Sequence, residues 1–80
     1  MRYVYRLASK TDPNFYYTGC TGNLKCRLRQ HNAGDVRSTR LKRPYRLVFY
    51  AAFPSRQRAL AFEAYLKTGS GHAFARKRLW

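Results

Sequence analysis

From Arg2 to Ala8, bulky and polar side chains alternate. Tyr3, Tyr5 and Leu7 fall on one face, and Arg2, Val4 and Arg6 on the other. A period of two in β-prone residues predicts a strand. The turn cluster Thr11-Asp12-Pro13-Asn14 interrupts it and Phe15-Tyr16-Tyr17-Thr18 resumes it. Residues 1–19 therefore read as a hairpin with a longer loop, which the stretch Gly19 to Gly22 ends. The period then changes. Leu24, Arg27, Leu28 and His31 stand at i, i+3, i+4 and i+7, one face of a helix from Leu24 to about Asn32. Asn23 suits its N-cap, and Gly34 its stop. A basic loop, 35–44, ends at Pro44. Tyr45 to Phe53 is the most apolar stretch and predicts a buried central strand. Ser55 caps a second helix that runs to about Lys67 and stops at Gly69, and a short third helix covers Ala73 to Leu79. Gly69-Ser70-Gly71 precedes that helix as a cap rather than a phosphate cradle. The order ββαβαα predicts an α/β fold in one domain, residues 1–80, with a small three-stranded, mostly antiparallel sheet flanked by helices.

Charge narrows the function. Seventeen Lys and Arg stand against three Asp and Glu, a net charge of +14, while 45% of the residues are hydrophobic. The chain can build a core, so it is no disordered basic tail. Its imbalance calls for a polyanionic partner, of which nucleic acid is the commonest. With only Asp12, Asp35 and Glu63, a multi-carboxylate calcium cage or a dense two-metal site is excluded. No apolar run approaches the ~20 residues that span a bilayer, and the N-terminus is not a signal peptide. A cytoplasmic chain without a membrane partner is expected. Cys20 and Cys26 do not form a CxxC pair and read as reduced thiols; with His31 and His72 they lack zinc-site spacing.

Two places break the binary pattern. Glu63 falls inside the inward stripe of the second helix, formed by Ala59, Phe62 and Leu66 with Leu60 at its edge. A carboxylate facing a small core is costly unless it is paired or holds a metal. Its position leaves open an ion pair with one of the many arginines. Arg27 and His31 share the Leu24/Leu28 face and so point toward the sheet; a snorkelling arginine and a satisfied histidine would account for that alone. Tyrosine is also abundant, with Tyr3, Tyr5, Tyr16 and Tyr17 crowding the hairpin.

Together these residues resemble a GIY-YIG nuclease domain from end to end. Tyr3-Val4-Tyr5 stands for the first signature tripeptide, with Tyr3 in place of the usual glycine, and Tyr17-Thr18-Gly19 for the second. Asn23-Leu24-Lys25-Cys26-Arg27-Leu28-Arg29-Gln30-His31-Asn32 looks like the family's NLxxRLxxHN helix. Phe62 to Gly71 looks like the glutamate-bearing helix and GSG turn of the small stand-alone bacterial members, with His72 where these often carry arginine. The resemblance implies that Tyr5 and Tyr17 are active-site tyrosines, Arg27 the catalytic arginine, Glu63 the metal-binding carboxylate and His31 an accessory active-site residue. It implies phosphodiester hydrolysis in DNA with one divalent ion, Mg²⁺ or Mn²⁺, and no organic cofactor. Related domains occur in excision-repair nucleases, homing endonucleases and some restriction enzymes.

The chemistry of the residue types agrees with those roles. One carboxylate suffices for Mg²⁺, which keeps several waters. Arg27 offers a permanently charged fork to phosphate oxygens. A phenol, with a pKa of about 10, is a poor base at neutral pH, and nearby cations are expected to lower it. Tyr5 is assigned as base and Tyr17 as its partner. Arg37, Arg40, Lys42 and Arg43, with Lys25, Arg29 and the cluster Arg76-Lys77-Arg78, form the candidate phosphate track. A monomer is assumed, with low sequence specificity and a preference for single-stranded or flapped DNA, whose unpaired bases can stack on tyrosines. The alternative is a non-catalytic basic nucleic-acid binder; a nucleoprotein scaffold rests on charge alone.

Overall fold

β1 (Arg2–Ser9) and β2 (Tyr16–Thr21) form the hairpin, and β3 (Tyr45–Phe53) pairs with the other edge of β1. A computed structural model describing residues 1–80 thus shows a three-stranded antiparallel sheet of order β2-β1-β3. α1 (Leu24–Ala33) follows β2, and α2 (Arg56–Leu66) and α3 (Gly69–Arg78) follow β3. The class and the order ββαβαα are those the pattern predicts.

The central strand, however, is β1 rather than β3. On β1 Val4, Tyr5, Leu7 and Ala8 are buried, whereas on β3 only Tyr45 is, and Tyr50 is largely exposed. An apolar run reports how much a strand's faces are covered; it does not report which of its edges are paired. The alternation of β1 feeds two cores. On one face α1 lays Leu24 and Leu28 against Tyr5, Leu7 and Tyr45. On the other, Ala59 and Leu66 of α2 and Ala75 of α3 close over Val4, with Cys20, Phe53 and Phe62 packed around them.

The caps explain the boundaries. The Asn23 side chain accepts from the Cys26 N–H at 3.0 Å, and Gly34 ends α1 in the left-handed conformation. Ser55 caps α2 by accepting from the Arg58 N–H at 3.2 Å. Two expected boundaries are corrected. β2 runs through Gly19 to Thr21, because Gly19 is a ladder partner of Tyr5 rather than a break. α3 starts at Gly69, four residues early, because the Thr68 hydroxyl accepts from the Gly71 N–H at 3.0 Å and makes the glycine pair the first helical turn. A side chain at Gly71 would collide with the Tyr65 carbonyl, so the glycine there permits a close α2–α3 junction. The basic loop contains a short 3-10 turn, Arg40–Lys42, and a wholly buried Thr39.

Candidate active site

The α1 face of the hairpin carries Tyr5, which lies opposite Gly19 in the ladder and is 1% exposed. Its hydroxyl is 2.8 Å from Nε2 of His31. His31 is brought there by its i+7 relation to Leu24, and it is fully buried. The far side of the imidazole is also held, with Nδ1 2.6 Å from the Thr39 hydroxyl. Thr39 is fixed in turn, because its carbonyl accepts from the Tyr45 hydroxyl at 2.7 Å. The Tyr17 ring leans over this pair, its centroid 6.3 Å from that of Tyr5 and 5.1 Å from that of His31. Tyr17 is half-buried and its hydroxyl has no hydrogen bond within the chain.

Burial dominates the electrostatics. It pushes the Tyr5 phenol up to about 12; Arg27 opposes the shift, while Tyr17 and Glu63 add to it. The expectation that cations lower this pKa is therefore overturned: desolvation of a buried phenolate outweighs one neighbouring guanidinium. Burial, and then the positive charge of Arg27, bring His31 down to about 4. The imidazole is neutral at pH 7, with one nitrogen donating and the other accepting.

Arg27 and Glu63 approach Tyr5 from helices on the two faces of the sheet. Arg27 is half-buried on α1 and donates to Oε1 of Gln30 at 3.1 Å. The Glu63 side chain is 18% exposed, and its partner is Lys67, at 3.1 Å one helical turn on, rather than an arginine. Its charge reaches both Tyr5 and Cys20, helping to raise each. Tyr17, Arg27 and His31 thus gather around the Tyr5 phenol, and Glu63 acts on it by charge from α2 on the other face of the sheet. No group of three or more His, Cys, Asp or Glu side chains lies together anywhere in the chain.

The predicted phosphate track is less continuous. Lys42 pairs with Asp12 at 2.8 Å, Arg40 donates to the Gly34 carbonyl at 3.1 Å, and Arg43 donates to the Arg40 carbonyl at 3.0 Å. These three side chains brace the loop, while Arg37 remains exposed with no partner. Lys25 and Arg29 are exposed on α1. Arg76, Lys77 and Arg78 end α3, which packs on the opposite face of the sheet.

Comparison with known proteins decides the family. The family model of the GIY-YIG catalytic domain matches residues 1–77. The chain belongs to the GIY-YIG family. It is 42% identical over 66 residues to a "UPF0213 protein" of Streptococcus pyogenes serotype M5 (strain Manfredo), covering 81% of this chain and 67% of that one. It is 38% identical over 68 residues to a "UPF0213 protein" of Clostridium perfringens (strain 13 / Type A), covering 84% and 71%. A GIY-YIG domain supports a nuclease function.

Within this GIY-YIG site, two residues matter in ways their sequence positions do not show. Thr39 sits in a basic loop with no periodicity to mark it as buried. Gly19 was visible in its tripeptide, but its reason was not. A Cβ there would stand 2.6 Å from the Tyr5 hydroxyl oxygen, 2.7 Å from Cζ and 3.0 Å from Cε2 of Tyr17. The phenol crosses the sheet in the space that glycine leaves. Gly19→Ala is expected to keep the fold at a cost of about 1–3 kcal/mol from overpacking. With Tyr5 as the base proposed below, cleavage should fall by about 10²-fold or more, the effect of misplacing a reacting group by about 1 Å. Thermal melting and single-turnover cleavage measured side by side check this; wild-type turnover would show that Tyr5 tolerates displacement.

Proposed function

We propose that the chain is a divalent-metal-dependent endonuclease that hydrolyses DNA phosphodiester bonds with low sequence specificity, preferring single-stranded or flapped DNA. One observation carries the reading: the Tyr5 hydroxyl lies against a neutral His31 and within the fields of Arg27 and Glu63.

The base is the Tyr5–His31 pair. The Thr39 hydroxyl has the Val36 carbonyl within reach at 3.4 Å as an acceptor. Its oxygen then accepts from Nδ1–H of His31, and Nε2 accepts from the Tyr5 hydroxyl. The Tyr5 oxygen keeps lone pairs for an attacking water. As water oxygen bonds to phosphorus, its proton passes to Tyr5 and the Tyr5 proton to His31. The bond to the 3′-oxygen breaks and that oxygen takes a proton from solvent water, leaving a 5′-phosphate and a 3′-hydroxyl, while His31 returns its proton to solvent through Tyr5. Tyr17, with its hydroxyl unengaged, orients the water or a phosphate oxygen. Arg27 holds the non-bridging oxygens, where charge accumulates in the transition state.

Glu63 fits a metal of one type. A mostly buried carboxylate that belongs to no cluster of three or more His, Cys, Asp or Glu side chains suits a hard ion that keeps its waters, Mg²⁺ or Mn²⁺, better than a zinc site built from several protein ligands. Bound there, such an ion supplies Lewis-acid neutralisation of the phosphate and of the leaving oxygen.

Incubation of labelled single-stranded, flapped and duplex oligonucleotides with Mg²⁺ and with EDTA tests the proposal. Cleavage is expected only with metal, and fastest on the unpaired substrates; no cleavage of any DNA leaves the basic-binder reading. Arg27→Ala should lower turnover by about 10²–10³-fold, as loss of a transition-state donor does. Weaker binding with unchanged turnover would make Arg27 a simple phosphate contact.

A further inference from the structure

Beside α1, on the Tyr5 face of the sheet, lies a cleft of about 550 Å³ that the proton relay does not use. Tyr3 and Tyr50 form one part of its lining, Leu24, Leu28 and Leu47 another, and Lys25 stands among them. The two tyrosine rings meet edge to face, with centroids 6.2 Å apart and planes at 63°. Tyr50 is 55% exposed, although it is a large aromatic on a small sheet. A smaller hollow of about 350 Å³ shares Lys25 and Leu28 and adds Arg29. The two form a groove along α1, apolar and aromatic within and cationic along one helix.

We infer that this cleft receives one unpaired base of a single DNA strand next to the bond being cut, while Lys25 and Arg29 hold that strand's phosphates. The inference rests on the nuclease reading and names its substrate contact. Tyr50 lies directly opposite Tyr5 in the β1–β3 ladder, and such partners have Cβ atoms about 4.5–5.5 Å apart. The cleft therefore opens on the same face of the sheet as the Tyr5 ring, on the β3 side of β1, while the Tyr5 hydroxyl lies over Gly19 on the β2 side. Its volume is in the range of small-ligand pockets. An occupant must offer a flat apolar face to aromatic rings and a negative charge to Lys25 and Arg29, and a nucleotide offers both. In a duplex, both faces of a base are stacked and its edge is paired, so only an unpaired or extruded base can enter. The excess of 17 basic over three acidic residues supplies the complementarity to that strand.

Anisotropy of a labelled oligothymidylate in EDTA tests the inference without cleavage, using wild type, Tyr50→Ala and Tyr50→Phe. Tyr50 is exposed, so neither variant threatens the fold. Tyr50→Ala is expected to weaken binding by about 5- to 100-fold, the usual loss for one base–aromatic stack, and Tyr50→Phe to restore it. On an abasic strand with the same number of phosphates, wild type and Tyr50→Ala should bind alike. Equal binding of oligothymidylate by wild type and Tyr50→Ala, or an equal loss on the abasic strand, overturns the inference. A protein that cleaves DNA yet shows no Tyr50 effect keeps the nuclease reading and loses the cleft. One that shows the effect but cuts no DNA does the reverse.

Discussion

Replacing His31 by Gln is expected to change the shape of the pH–rate profile, and replacing Tyr5 by Phe to remove the reaction. With its phenol near 12, only about 10⁻⁵ of Tyr5 is phenolate at pH 7. A mechanism that waited for the phenolate would gain about tenfold in rate per pH unit throughout the neutral range. The hydrogen bond to His31 offers another path, since the phenol passes its proton on as it takes one from water. The imidazole is neutral above about 4, so the pair is ready at every pH above that. The wild-type chemical step should then be nearly flat from about pH 6 to 9. Gln keeps hydrogen-bonding partners for Tyr5 and Thr39 but cannot take a proton. Its chemical step should be slower at pH 7 and climb about tenfold per unit, because only the phenolate route remains. Tyr5→Phe removes both routes and should cost about 10²–10⁴-fold at all pH values. Single-turnover cleavage with metal saturating makes the measurement. A wild-type rate that itself climbs through neutrality would show that His31 takes no proton. An alkaline limb that survives in Tyr5→Phe and disappears in Tyr17→Phe would exchange the tyrosines.

The same burial sets a lower limit for such work. The folded chain holds His31 well below its ordinary pKa, near 6.5, so the neutral form stabilises the fold fully above that value. This stability is lost as pH falls through about 4. The melting temperature should decline over that interval in wild type, and less in His31→Gln. Rates compared above about pH 6 are free of this effect.

Much of the candidate site is legible because its residues stand where periodicity exposes a conflict. Glu63 and Arg27 are charged residues inside apolar stripes, and such conflicts survive in the sequence whatever the tertiary details. The caps Asn23 and Ser55 were legible because their chemistry is local. What escaped was set by tertiary contacts. The apolar run of β3 says nothing about whether a second strand pairs with each edge, so β1 took the centre. Gly69 looked like a stop until the Thr68 hydroxyl supplied the cap that lets a helix begin there. Composition counts cations and so suggests a lowered Tyr5 pKa, whereas desolvation depends on how deeply the ring lies. Thr39 had no sequence signal, since its burial depends on where the loop folds back against His31. Lys42, Arg40 and Arg43 also make contacts within the loop, which counting charges cannot show.

Glu63→Gln should abolish cleavage while leaving the protein folded and able to bind DNA. The substitution keeps the shape of a mostly buried side chain in the apolar stripe of α2 and removes its charge. The structural loss is small, because the Lys67 partner is 59% exposed and one turn away, and pairs of that kind contribute about 0.3–0.5 kcal/mol. The catalytic loss is large. Only Asp12 and Asp35 remain as carboxylates; Asp12 is engaged by Lys42, and Asp35 lies beyond the end of α1. Losing several kcal/mol of transition-state charge stabilisation corresponds to about 10³-fold or more in rate. Lys67→Ala provides the opposite control. It removes the cation that competes for the carboxylate, so half-maximal cleavage should need less Mg²⁺ than in wild type. Melting curves, DNA binding in EDTA and cleavage over a Mg²⁺ titration separate fold, binding and chemistry. A folded Glu63→Gln protein that cleaves within about tenfold of wild type in saturating Mg²⁺ would leave Glu63 as a structural partner of Lys67 and place the metal elsewhere.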